Sequence, residues 1–126
     1  MRRPFFLILL TVFFLASCAS AGGPEKSVEK YFQAINLKDS AQLSTITCKA
    51  WEMDALMVLD AFQAVSTELE DLSCQQTGTT SDGMAVVSCS GKIIASYEGE
   101  AIEFDLSIQE YLVENANGEW LVCGTR

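Results

Sequence analysis

Apolar residues recur at helical spacing through the first half of the chain and alternate with polar ones through the second. Val28, Tyr31, Phe32 and Ile35 fall at i, i+3, i+4 and i+7 and form one apolar stripe. Pro24 suits the first turn of that helix, Glu25 and Glu29 favour its N-terminal end, and the pattern runs to about Leu37. Asp39 or Ser40 then caps a shorter helix that turns Leu43 and Ile46 inward. From Ala50 to about Asp71 the residues Trp51, Ala55, Val58, Leu59, Phe62, Val65 and Leu69 keep helical spacing, which predicts a long amphipathic helix.

The period then shortens to two. Met84 to Tyr97 is rich in Val, Ile and Ser and reads as a strand, closed by a turn at Tyr97-Glu98-Gly99-Glu100. Ile102, Phe104, Leu106, Ile108 and Leu112 alternate with polar neighbours and predict one half-buried antiparallel strand. Its other face would carry Glu103, Asp105, Gln109 and Tyr111, exposed to water or to a partner. Asn117-Gly118 is a type I′ hairpin signal, after which Glu119 to Cys123 forms the last strand. The expected class is α+β, with three N-terminal helices packed on one face of a curved, four-stranded antiparallel sheet.

Residues 1–17 follow a different rule. Arg2 and Arg3 precede the apolar run Phe5 to Leu15, which is short for a membrane span and typical of an export signal. Leu15-Ala16-Ser17-Cys18 closes it and resembles the lipobox of bacterial lipoproteins. The resemblance implies that Cys18 is lipidated and becomes the first mature residue. A plain secretory cut near Ala16 or Ala19 and a twin-arginine signal are the alternatives. Residues 18–24 form a short small-residue tether, at most roughly 20–25 Å long when extended. The expected organisation is a signal peptide over 1–17, lipidated cysteine and tether over 18–24, and one domain over 25–126, anchored to a bacterial membrane outside the cytoplasm.

Charge and cysteines narrow what that domain does. Of eight basic residues, Arg2 and Arg3 lie in the signal, which leaves six against seventeen acidic ones. An acidic domain is a poor ligand for nucleic acid or anionic headgroups. There is no histidine, so histidine-dependent triads and metal sites are excluded. Four cysteines remain after Cys18, an even number with no C-x-x-C spacing, which suggests two disulfides over metal binding. Three pairings are possible. A four-residue loop at Thr80-Ser81-Asp82-Gly83 sets Thr79 opposite Met84 and brings Cys74 opposite Cys89, leaving Cys48 for Cys123.

Three helices followed by a meander of strands resemble the nuclear transport factor 2-like fold. The likeness rests on the first helix, Val28 to Asp39, and on Asn117-Gly118-Glu119-Trp120-Leu121-Val122 near the end. It implies a cone-shaped domain. Members of that superfamily include enzymes resembling ketosteroid isomerase and polyketide cyclases, and pocket-bearing or dimerising proteins without chemistry. Tyr31 lies on the helix that lines the cone, and Trp51 is placed to sit at a cavity rim. Asp60, one of several carboxylates on the third helix, is the candidate buried acid, with a solvated position the preferred reading. Two functions follow. One is a non-catalytic envelope lipoprotein that binds a small apolar ligand or a protein partner near the membrane. The other is a cofactor-independent, isomerase-like or cyclase-like enzyme that uses a buried carboxylate and Tyr31. The first is preferred; no metal or cofactor is expected, and the polar strand face makes a homodimer the less favoured assembly. Replacing Cys18 with serine should abolish fatty-acid labelling of the chain, and labelling that survives would remove the anchor.

Overall fold

A computed structural model describes residues 22–126; the signal segment and Cys18 lie outside the described residues. Three helices come first: α1 (Pro24–Leu37), α2 (Ser40–Ile46) and α3 (Glu52–Ala61). Five antiparallel strands follow, β1 (Ser66–Thr79), β2 (Ala85–Tyr97), β3 (Glu100–Asp105), β4 (Glu110–Ala116) and β5 (Glu119–Thr125), with a 3₁₀ turn at Leu106–Ile108 between β3 and β4. The α+β class is as expected, but the sheet has five strands where four were predicted. No helix among the described residues is long and apolar enough to cross a membrane.

The apolar stripe of α1 is the centre of the core. Val28, Tyr31, Phe32 and Ile35 are all buried, against Leu43 of α2, Leu59 of α3 and Val87, Val113 and Val122 of the sheet. Polar bonds fix the helix at both ends. Ser27 Oγ donates to the carbonyl of Trp120 on β5 at 2.7 Å, and Thr67 Oγ1 of β1 donates to the carbonyl of Asn36 at 3.1 Å. The helix therefore crosses the sheet from one edge to the other. It ends where Lys38 adopts a left-handed conformation (φ 57°), and Asp39 then caps α2 by accepting from the Gln42 amide at 3.0 Å.

The long third helix is the main correction. α3 stops at Ala61, its last turn tightened by bonds from Phe62 N to Leu59 O and Gln63 N to Asp60 O, and the chain becomes β1 by Ser66. The misleading signal has a physical origin. In β1, Thr67 and Leu69 face inward, then Leu72 and Cys74 do, because a bulge between Glu70 and Ser73 shifts the pairing by one residue. Asp71 carries the bulge at φ 52°. Val65, Leu69 and Leu72 are thereby spaced i, i+4, i+7, which imitates a helix.

The predicted strand from Ile102 to Leu112 is likewise two strands and a turn. β2 pairs with β4 through Ala85–Ser88 and with β3 through Lys92–Tyr97, so the two later strands share one edge of β2. Asp105 breaks the alternation: its carboxylate accepts from Ser107 N at 2.8 Å and Ser107 Oγ at 2.7 Å, winding the turn. The inward parity changes there, and β3 itself buries no face: Ile102 and Phe104, expected inside, are 60% and 43% exposed. Ile108, expected inside, is 78% exposed, and Tyr111, expected on the outer face, is buried.

The structure joins Cys74 to Cys89 and Cys48 to Cys123. Cys74 stands opposite Cys89, but the hairpin reaches that register indirectly. Thr79 pairs with Ala85 and not with Met84, and a second irregularity between Gln76 and Gly78 restores the cysteine alignment. In the chain-entropy picture the 15-residue loop contributes roughly 3 kcal/mol and the 75-residue loop roughly 4–5 kcal/mol. Gly91, at φ 102°, lies against the β1 bulge, where a Cβ would meet the carbonyl oxygens of Glu70 at 2.5 Å and Asp71 at 2.7 Å. Gly91→Ala is expected to lower stability by roughly 1–3 kcal/mol, read as a drop in the urea midpoint with unchanged slope.

Candidate functional site

Where β3 diverges from β4, the sheet and α3 leave a cleft of about 330 Å³. Its floor is built by Tyr31 and Phe32 of α1, Ile93 of β2 and Tyr111 of β4. Val58 and Phe62 form one wall; Phe104, Leu106 and Ile108 form the other. The floor is an aromatic cluster: Phe32 meets Tyr31 and Tyr111 edge-on at 5.3 Å, and Tyr31 and Tyr111 lie 5.7 Å apart. The rim is uncovered, with Val58 39%, Phe104 43% and Ile108 78% exposed. Concave, apolar and open, with few polar groups, this is the chemistry of a small-molecule site.

Both phenols on the floor are held neutral. Burial, and secondarily the neighbouring Tyr111, raise Tyr31 far above the ordinary tyrosine range, and burial pushes Tyr111 up to about 12. Neither hydroxyl has a hydrogen-bond partner among the described residues, and both residues line the cleft while remaining largely buried, Tyr31 2% and Tyr111 6% exposed. Each offers one donor and one acceptor to whatever enters. The rim carries the opposite character. The two hydrogen bonds from Ser107 hold the Asp105 carboxyl below the usual carboxylate range, which places a fixed negative charge beside the opening.

Of the residues singled out from sequence, Tyr31 lines the cleft. Trp51 does not; it stands at the start of α3, half-buried, with its ring 5.5 Å from the Tyr31 ring, supporting the floor from behind. Asp60 is exposed and faces no partner of the cleft. Tyr111 was missed, because its place in the alternation assigned it outward. The signal that finds it is Asp105-Leu106-Ser107, a turn-forming pair that resets the parity. Glu114 lies 3.6 and 3.7 Å from the sulfurs of Cys48 and Cys123, a grouping of metal-ligand type whose thiols are already joined to each other. Cys18 lies outside the described residues.

No protein-family model matches the chain, and no curated protein matches it in sequence. Solved structures do match in shape. A SEC-C motif containing protein from Rhodopseudomonas palustris aligns with a TM-score of 0.55 at 14% identity, over 82% of this chain and 77% of its own. The protein Aln2 from a Streptomyces species aligns with a TM-score of 0.53 at 9% identity, over 79% of this chain and 82% of its own. At such identities the likeness is one of fold.

The buried phenols make stability fall in alkali. Their folded-state pKa values lie above the unfolded value near 10, so the native state keeps protons that the unfolded chain releases. The contribution is complete below about pH 10 and is lost as pH rises towards and beyond about 12. Chemical denaturation at about pH 9 and about pH 11 should show a loss in the native chain that Tyr111→Phe reduces.

Proposed function

We propose that this domain is a non-catalytic binder of a small, uncharged apolar molecule, held by a lipidated Cys18 at a bacterial membrane on its outer side. The observation that carries the reading is the uncovered apolar cleft, whose floor holds two neutral phenols with no hydrogen-bond partner among the described residues. The anchor is supported by the lipobox-like Leu15-Ala16-Ser17-Cys18, and two disulfides weakly favour an oxidising compartment. The helices-then-sheet order is consistent with a nuclear transport factor 2-like cone, and on that reading the cleft is its mouth.

Binding is preferred to turnover because of what lines the cleft. A proton-abstracting enzyme needs a carboxylate tuned towards neutrality. The carboxylate at this opening, Asp105, is shifted the other way and is tied to Ser107. The phenols act as orienting hydrogen-bonding groups, and the surrounding side chains supply the affinity by losing water contact.

Decan-1-ol serves as a probe. Added to the lipidated chain in detergent micelles, it should raise the thermal midpoint, because a ligand of the native state stabilises it by mass action. Val58→Asp and Ile108→Asp put charges into the rim at exposed positions and should remove the shift while leaving the far-ultraviolet spectrum intact. Stabilisation that is absent in the native chain, or undiminished in both variants, would overturn the reading.

A further inference from the structure

Behind the Phe62–Phe104 pair lies a second apolar depression of about 180 Å³, lined by Val65, Ala95, Tyr97, Glu100 and Ile102. The two hollows share Ala61, Phe62 and Phe104 as their common wall. The rings of Phe62 and Phe104 meet edge to face, with centroids 5.4 Å apart. With Ala61, this pair forms the wall the chambers share. We propose that this aromatic pair is a gate, and that the occupant of the cleft is an uncharged, unbranched chain that threads it. Its polar end rests at Tyr31 and Tyr111, and its tail lies along Tyr97 and Ile102. The proposal rests on the binding function above and adds the shape and charge of the ligand.

Three observations carry it. First, the gate residues sit on elements that can part. Phe62 caps the end of α3, in the short connection to β1, and Phe104 lies on β3, which is paired on one edge only. Second, the outer chamber is apolar and uncovered. Tyr97 is 59% and Ile102 60% exposed, although both project from strands that could have carried polar residues at no cost to the core. A compact ring system would fill the inner chamber and leave these side chains in water, whereas a chain covers both. Third, the charges select the head group. Asp105 borders the inner chamber and Glu100 the outer, and neither chamber is lined by a lysine or arginine. A carboxylate or phosphate head meets repulsion and no counter-charge, and an ammonium head would lose its water against neutral phenols. An alcohol or carbonyl head matches the phenols in both donor and acceptor roles.

Chain length is the test. In the lipidated protein at fixed micelle concentration, the thermal stabilisation by hexan-1-ol, octan-1-ol, decan-1-ol and dodecan-1-ol is converted to affinity for each variant. Every methylene that finds an apolar wall should tighten binding roughly fourfold. In the native chain the rise should continue to dodecanol. In Tyr97→Ser/Ile102→Ser, whose changes are both at exposed positions, hexanol should bind as before and the rise should level off at decanol, so that dodecanol loses at least about tenfold. Met53→Ser removes a comparably exposed apolar residue of α3 outside both chambers and should leave the whole series unchanged. A rise that persists to dodecanol in the double variant, or is equally blunted by Met53→Ser, would overturn the threading proposal while leaving the cleft as a binding site. Dodecanoate binding as tightly as dodecanol would overturn the uncharged head. Failure of every alkanol, hexanol included, would overturn the binding function itself.

Discussion

At Gly91 the backbone of β2 passes so close to the carbonyls of Glu70 and Asp71 that no side chain could be accommodated. That contact locks the β1 bulge in place, and it falls in the short interval where β2 changes partner, between Ser88 paired with β4 and Lys92 paired with β3. One strand thus serves two neighbours on the same edge. Because β3 and β4 are not a continuous strand, the turn at Leu106–Ile108 interrupts the pairing along that edge of β2, and the cleft opens beside it. Ile93, the second residue beyond Gly91, forms part of its floor. The site is a by-product of how the sheet resolves a local break in pairing.

The stripe of α1 completes what the sheet begins. Tyr31 and Phe32 are core residues by burial and site residues by position, so the same side chains that hold the helix to the sheet also present the cleft floor. The phenols keep their protons in that setting because ionisation would strand charge in an apolar enclosure. A floor packed this closely, with Trp51 behind it, would meet an entering molecule without first having to order itself.

Much of this was legible in the chain alone, and the rest was hidden for one recurring reason. α1 and α2 are written in the chain as periodicity plus caps, and the last hairpin as Asn117-Gly118, whose φ angles of 55° and 90° are those a type I′ turn requires. Alternation fails as a guide wherever a strand contains a residue that is out of step. The bulge at Asp71 made a strand look like a helix, and the turn after Asp105 exchanged the faces of Ile108 and Tyr111. The cleft depends on both irregularities, so its floor could be only half read: Tyr31 from a helix whose pattern is regular, Tyr111 not at all. The cysteine alignment in the first hairpin survived because the loop's offset and the irregularity near Thr77 cancel.

The bridge between Cys48 and Cys123 has a mechanical meaning as well. It joins the segment just after α2 to the last strand, across 75 residues of sequence. A pull applied between the two ends of the described chain would travel through α1 and α2, cross the sulfur bridge, and leave by the last few residues. Most of the sheet and the α3 and β3 walls of the cleft lie inside the shunted loop, whereas Tyr31 and Phe32 of its floor lie on the loaded path. What would yield first is the attachment of α1, held to the sheet at its ends by the hydroxyls of Ser27 and Thr67. Tension at the start of α1 would be felt as a loosening of the helix that carries Tyr31, with the covalent frame around it still closed.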